Sequence, residues 1–322
     1  MSRQLVGVDV GGTKVSAATL DGGRLGPRHK FPTAGASSDA LIDEIARAVE
    51  TVRTPETAAV GIGVPSVVEF ATGRVKWSVN VKLADVPLRT VLEERLGLPV
   101  FVDNDTNCAA LAEAHDGSRM VVQNLVMIAV GTGVGGGLVL DGRVYRGATG
   151  GAGELGHTLI GAHLEHGAPA ARGFPQEGSL ESLASGRALD ALAEATARAH
   201  PGSALGVLRA QGALVRGPDV VAAAQAGDAQ AQALVTLLGE RLGVGIANAI
   251  NTFDPEVVVI GGGVATAGEM LLRPARESAR RFVIPGIGEA TEIRLARHGA
   301  EAGVRGAALL ADRELGATAG PR

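Results

Sequence analysis

Asp9-Val10-Gly11-Gly12-Thr13-Lys14 and Gly131-Thr132-Gly133-Val134-Gly135-Gly136-Gly137 decide the reading of this chain. An apolar β-type run precedes each, Leu5-Val6-Gly7-Val8 before the first and residues 125–130 before the second. Another follows each, residues 15–20 and Leu138-Val139-Leu140. Strand, glycine loop, strand is the pattern of a hairpin. Gly131-x-Gly133-x-x-Gly136 formally matches a dinucleotide-binding turn. That turn must feed a helix, and Gly136-Gly137 followed by Leu-Val-Leu-Asp-Gly does not start one. No lysine stands in the Gly-Lys-Ser/Thr form of a triphosphate P-loop. A glycine loop lets backbone N–H groups approach an anion with no Cβ in the way. Two such loops, with Asp9 beside the first as a carboxylate for a metal, point to a clamp on a polyphosphate chain such as that of ATP.

Composition narrows the rest. The 322 residues are 46% hydrophobic, enough for a sizeable core in two domains or one large one, and too apolar for a disordered chain. Aromatics at 2% leave no base-stacking platform, and a net charge of -4 without a basic patch argues against a nucleic-acid partner. Cys108, the single cysteine, excludes an intrachain disulfide and a cysteine-rich zinc site. No signal peptide is expected ahead of Asp9, and glycines and charges are read as interrupting every apolar run. The expectation is a cytoplasmic protein with no membrane partner.

Between and beyond the loops, strands and helices alternate. A third strand is expected over residues 25–31. Ser37-Ser38-Asp39 caps a helix over about 40–53, with Leu41, Ile45, Ala48 and Val49 on one face. A buried strand over 58–64 ends at Pro65, a helix follows at 88–96, and a strand over 99–102 runs into Asp103-Asn104-Asp105-Thr106 and a helix over 106–114. This alternation predicts a mainly parallel α/β sheet. The second half restarts the pattern, with an irregular stretch at 147–178 and helices at 180–192, 220–226 and 229–251. A strand over 257–260 empties into Gly261-Gly262-Gly263, and a last helix spans 304–313. The domain boundary is placed at Asp116-Gly117.

Several residues carry candidate chemistry. Asp9, at the end of an apolar strand, is either a turn residue or a Mg2+ ligand through water, and the Gly-Gly-Thr that follows favours the metal. Lys14 either pairs with a phosphate or is solvated. Asn104-Asp105 lies between a strand and a helix. Asp105 or Thr106 would suffice as a helix cap, but two acids and two asparagines within 103–107 exceed what a cap needs. A carboxylate there can take a proton from a substrate hydroxyl. Glu154 and His157, together in one glycine-rich loop, suit sugar hydroxyls, whereas His157, His163 and His166 lack further ligands for a metal. Gly262-Gly263 is either a tight turn or a ligand contact at the carboxyl end of a buried strand.

Five stretches in order, residues 6–14, 102–113, 131–137, 153–157 and 260–264, resemble the ROK family (repressors, open reading frames and sugar kinases) of the actin-like ATPase and hexokinase superfamily. The resemblance runs from about residue 5 to 310. It implies two actin-like (ribonuclease H-like) α/β domains around a central cleft, the first from residues 1–116 plus 304–322 and the second from 117–303. It implies phosphorylation of the 6-hydroxyl of a hexose by MgATP, glucose being the leading acceptor, with Asp105 as general base. Asn80, Asn104, Glu154, His157, Glu181 and the Gly63-Val64-Pro65 loop would hold the sugar. Asp9, Gly11, Gly12, Thr13, Lys14, Gly131, Thr132 and Gly133 would hold phosphates and Mg2+, with Gly262 and Gly263 against the adenosine. N-acetylmannosamine, fructose, allose or mannose as acceptor, polyphosphate as donor, and a non-catalytic sugar-binding regulator are the alternatives. A repressor would need a helix-turn-helix ahead of the first glycine loop, and none is read there. A homodimer is expected. In the family a histidine matching His157 and three cysteines bind zinc. Ser179 stands where the last of those cysteines belongs, so zinc is not expected, and packing around Phe174 and Pro175 is expected to hold Glu181 instead.

Overall fold

The computed structural model describes residues 3–78, 81–117, 119–162, 167–168 and 173–318. The strands are β1 (Gln4–Val10), β2 (Lys14–Asp21), β3 (Arg24–Leu25), β4 (His29–Pro32), β5 (Thr57–Val64), β6 (Ser66–Glu69), β7 (Arg74–Ser78), β8 (Val100–Asn104), β9 (Leu125–Val130), β10 (Val134–Leu140), β11 (Arg143–Val144), β12 (Val257–Gly261) and β13 (Glu292–Leu295). The helices are α1 (Ser38–Val52), α2 (Leu88–Leu96), α3 (Asp105–Ala114), α4 (Leu180–Ala184), α5 (Gly186–Ala199), α6 (Ala204–Ala210), α7 (Gly217–Gln225), α8 (Ala229–Phe253), α9 (Glu269–Phe282) and α10 (Ala302–Thr318).

The chain forms two compact units, Met1–Met127 with Gly137–Gly153 and Arg297–Arg322, and Ile128–Gly136 with Glu154–Ala296. This division differs from the expected one at residues 117–127, 137–153 and 297–303, which group with the first unit.

In the first unit the sheet runs β3-β2-β1-β5-β8, with β4 also on β2. β1 and β2 are the expected antiparallel hairpin, while β1, β5 and β8 are parallel. Both faces are covered, so the strands are apolar almost throughout and their two-residue period separates two cores. Val6, Val8, Val10, Val60 and Ile62 pack with Leu41 and Ile45 of α1 and Leu88 and Leu92 of α2. Leu5 and Ala59, one register step away, pack with Leu111 of α3 and Ala307 and Leu310 of α10. On that face α10 meets the sheet backbone to backbone. A Cβ on Gly7 would clash with Val304 O, one on Gly61 with Ala307 O, and one on Gly306 with Cys108 O. Glycine inside these strands therefore serves close approach.

A second sheet, ordered β11-β10-β9-β12-β13, carries the second glycine loop between β9 and β10. β10 starts at Val134, earlier than expected, so the loop proper is short and Gly135-Gly136-Gly137 lie in the strand. Gly137 supplies one reason: its Cβ would sit 2.5 Å from Thr106 O. Gly26-Pro27 splits the expected third strand into β3 and β4, and Ser185 splits the expected helix at 180–192 into α4 and α5. The β6–β7 hairpin, α6, α9 and β13 add to the expected elements. α8 corrects the reading of interrupted apolar runs: it is 25 residues long, and an 18-residue window within it has a mean hydropathy of 1.4, long and apolar enough to cross a membrane. Leu234, Leu238, Leu242, Ile246 and Ile250 are instead buried where α8 packs on α9, α7, α4 and α5.

Candidate functional site

The first glycine loop turns its carbonyls inward. Gly11 N donates to Lys14 O at 2.9 Å, closing the turn. Thr33, one residue past β4, donates its hydroxyl to Gly11 O at 2.7 Å and its backbone N–H to Thr13 O at 3.1 Å. The amides of Gly12 and Thr13 have no backbone acceptor among the described residues, and Gly12, Thr13 and Lys14 are exposed. Backbone donors left over after such an accounting are where an anion binds.

The second loop reaches the same result through other partners. Gly131 N donates to Gly133 O at 2.9 Å. The first amides of α5 take the loop carbonyls, Gly186 N to Gly131 O at 2.8 Å and Arg187 N to Thr132 O at 3.4 Å. Val134 N donates to Glu181 Oε2 at 2.7 Å. The amides of Thr132 and Gly133 remain without a backbone acceptor among the described residues.

Asp9 lies beside the first loop, its carboxylate against the start of α10, where a Cβ on Gly303 would be 2.6 Å from Asp9 Cγ. Burial, reinforced by the negative charge of Asp105 and opposed by Lys14 and Arg28, pushes the Asp9 pKa up to about 7. The positive charge that Lys14 and Arg28 bring does not outweigh burial, so the carboxylate remains short of positive charge. A hard divalent cation would supply it. The described residues contain no cluster of three or more metal-ligating side chains.

Asp105 opens α3, and its Oδ1 accepts from Thr106 N at 2.8 Å and from Thr106 Oγ1 at 3.3 Å. The cap of α3 is Asn104, rather than Asp105 or Thr106. Its Oδ1 accepts from Thr106 N at 2.8 Å and Asn107 N at 3.2 Å, and its Nδ2 donates to Ser66 O at 3.3 Å. Asp103, which sequence reasoning left without a role, is buried. It accepts from Asn104 N at 2.7 Å, Asn107 Nδ2 at 2.9 Å and Arg146 Nε at 2.7 Å. The Arg146 guanidinium in turn lies 3.4 Å from the Phe70 ring centroid. The surplus of acids and asparagines at 103–107 is thus divided between anchoring, capping and one carboxylate at the helix start. β5–β8 pairing sets Gly63 beside Asp103, and a Cβ on Gly63 would lie 3.3 Å from both Asp105 Cα and Cys108 Sγ. Pro65 O accepts from Ser78 Oγ at 3.2 Å. Asn80 lies outside the described residues.

In the second unit, Glu154, His157 and Glu181 converge on one segment. Glu154 leads into a short 3-10 turn, Leu155–His157, with its Oε2 3.8 Å from His157 Nε2. His157 Nδ1 is buried and has no partner among the described residues, and the ring meets Phe174 edge-on at 5.4 Å. Leu180 N donates to Thr158 O at 2.9 Å, which ties the start of α4 to this turn. Buried Ser179 caps α4 by accepting from Ser182 N at 3.2 Å, so the residue that replaces a cysteine has a structural use. This corrects the expectation about Phe174 and Pro175. Phe174 is 82% exposed and meets the His157 ring, whereas Glu181 is held by the α4 cap and by the Val134 amide. His163 and His166 lie outside the described residues. Gly262, at φ 84°, passes so close to Val130 O that a Cβ would clash, and Gly263 opens a 3-10 turn, Gly263–Ala267. Glycine at 262 is required by the fold with or without a ligand, whereas a Cβ on Gly263 would meet open space.

Residues 5–314 match the ROK family. The chain is 37% identical over 320 residues to a glucokinase of Halalkalibacterium halodurans, covering 97% of this chain and 96% of that one. It is 34% identical over 317 residues to an N-acetyl-D-glucosamine kinase of Salmonella typhimurium, covering 94% and 98%. Among solved structures, the ROK family glucokinase of Streptomyces griseus in complex with glucose and AMPPNP superposes with a TM-score of 0.82 at 34% identity, covering 96% of this chain and 99% of that one.

Proposed function

This chain belongs to the ROK family, and from that premise we propose that it transfers the γ-phosphoryl group of ATP to the 6-hydroxyl of a hexose, glucose first among them. It is a hexose kinase of two actin-like α/β domains. The finer assignments are our reading of the residues. The amides of Gly12, Thr13, Thr132 and Gly133 hold phosphate oxygens, and Lys14 adds positive charge. Asp9 would hold Mg2+, through water, and the bound ion would supply positive charge to the phosphates. Gly262 and Gly263 lie against the adenosine. Asp105 orients the sugar hydroxyl and accepts its proton at a carboxylate oxygen as the alcohol attacks phosphorus. Asn104, Glu154, His157 and Glu181, with Gly63 and Pro65, hold the remaining hydroxyls, and we assign Asn80 to the same set.

The observation that carries this reading is the pair of loops in which the carbonyls of Gly11, Thr13, Gly131, Thr132 and Gly133 accept from the protein while the amides of Gly12, Thr13, Thr132 and Gly133 have no backbone acceptor among the described residues. A phosphoryl transferase needs positioning and charge stabilisation above all, and fixed amides supply both without reorganisation. Against a non-catalytic sugar-binding regulator stands Asp9, whose raised pKa marks a carboxylate kept at an electrostatic cost that binding alone does not need. The likeness to an N-acetyl-D-glucosamine kinase is almost as strong as that to the glucokinase, so the acceptor is decided by assay.

The test is a coupled assay over a panel of hexoses, with ATP and polyphosphate as donors, on the unaltered protein and on Asp105→Asn. We expect glucose with ATP to give the highest kcat/KM. We expect Asp105→Asn to lower kcat about 1,000-fold, within the usual span for a general base, while glucose affinity stays within about threefold. Near-normal turnover in that variant removes Asp105 from the mechanism.

A further inference from the structure

We infer that Glu181 is a positioning residue for the second phosphate loop, so that the side chain proposed to hold the sugar also sets how tightly the nucleotide binds. The inference rests on the nucleotide-and-sugar reading above. Glu181 Oε2 accepts from the Val134 amide at 2.7 Å. A Cβ on Gly133 would clash with that same oxygen and lie 3.0 Å from Cδ, so the carboxylate lies directly against the loop backbone. One side of the loop is therefore fixed by backbone amides of α5, and the other by a single charged side chain.

Val134 is 3% exposed, so without Glu181 its amide loses its acceptor in a place that water reaches poorly. A buried donor left unpaired is costly, and a bond to a carboxylate is among the stronger ones. The loop would relax, and with it the neighbouring amides of Thr132 and Gly133. Glu181 itself is placed by the Ser179 cap, by the Leu180 N bond to Thr158 O, and by the bridge between Leu159 and Ser179. These contacts join it to the segment that carries Glu154 and His157. The carboxylate commits Oε2 to the loop and offers Oε1 to a hydroxyl. A sugar drawn to Oε1 thus acts on a group that shapes the phosphate loop, and the influence is reciprocal.

The test is nucleotide affinity with no sugar present, a readout that a purely sugar-holding glutamate would leave unchanged. Calorimetric titration with MgAMPPNP should give about tenfold weaker binding for Glu181→Ala, as expected for one lost charged hydrogen bond. Glu181→Gln, whose amide oxygen still accepts, should return to within about threefold of the unaltered protein. Hydrogen exchange at the Val134 amide in the unaltered, ligand-free protein reads the same bond without any variant and stands if Glu181→Ala fails to fold. Slow exchange supports the inference, and exchange as fast as at Thr132 overturns it. Equal AMPPNP affinity in Glu181→Ala overturns the inference and leaves the kinase reading standing. An unaltered protein that does not bind AMPPNP overturns both.

Discussion

The two glycine loops solve one problem with different materials. In the first, a single residue, Thr33, holds two carbonyls through its hydroxyl and its backbone amide. In the second, the start of a helix holds the carbonyls and a carboxylate holds one amide. Each loop also closes on itself, Gly11 N onto Lys14 O and Gly131 N onto Gly133 O. The outcome is shared: two consecutive amides, Gly12 with Thr13 and Thr132 with Gly133, without a backbone acceptor among the described residues. On the proposed reading, what would distinguish an anion-binding loop from an ordinary hairpin turn is the bonding of most of its carbonyls within the protein, which glycine content alone does not provide.

The comparison can be broken most sharply at the glycines. Gly133→Ala drives a methyl into Glu181, whereas a Cβ on Gly11 would come to 3.2 Å from Lys14 O, a contact the turn can absorb with a small shift. We expect Gly133→Ala to raise KM for ATP about 30-fold or more, and Gly11→Ala to change it less than about threefold, consistent with an overpacking cost of about 2 kcal/mol at the first site. Equal effects in steady-state kinetics would mean that Glu181 does not brace the second loop. Next in size is Thr33→Val, which deletes one neutral hydrogen bond. KM for ATP should rise about fivefold, with KM for the sugar unchanged and Thr33→Ser restoring the original value. A variant altered only in kcat would show that Thr33 does not act through the nucleotide loop.

Smallest is a stability effect confined to the first loop, which has Asp9 beside it. Its folded pKa of about 7 lies above the ordinary 3.8, so the folded state favours the protonated acid. Between those two values the folded protein binds more protons than the unfolded chain, and stability falls as pH rises. The penalty is complete above about pH 7 and absent below about pH 4. In metal-free buffer at pH 8, Asp9→Asn should raise the melting temperature by about 1–2 °C, as a gain of about 1 kcal/mol would in a chain this large, and should leave it unchanged near pH 4. A melting temperature lowered at pH 8 would mean that the Asp9 charge stabilises the fold.

These differences also mark what was legible in the sequence. The hairpins β1–β2 and β9–β10 were legible because strand, glycine loop, strand is a local pattern. The helix over Leu41, Ile45, Ala48 and Val49, with Ser37 as its cap, was legible for the same reason. Gly7, Gly61 and Gly306 were not, since their need arises where α10 lies against the strands and α3, hundreds of residues away in two of the three cases. Gly137 belongs with them, and reading it as loop shortened β10. At the site, Asp105 and Asn104 stood out by composition. That Asn104 caps α3 and that Arg146 anchors Asp103 depends on a partner 43 positions downstream for the latter, with no periodic signal to announce it. Thr33, and the bond from the Val134 amide to Glu181, which was expected only to hold the sugar, were hidden in the same way. Both act on loop backbone, and a side chain that bonds to backbone leaves no complementary residue type to search for.

Central to the proposed function is that the amides of Gly12, Thr13, Thr132 and Gly133 hold phosphate oxygens of the nucleotide. Backbone amide shifts of Gly12, Thr13, Thr132 and Gly133, followed by NMR as MgAMPPNP is added, test it most directly. The account predicts that all four move together along one saturation curve, with Gly11 and Gly131, whose amides are already bonded, moving least. Saturation of the nucleotide with either pair of amides unmoved would contradict it.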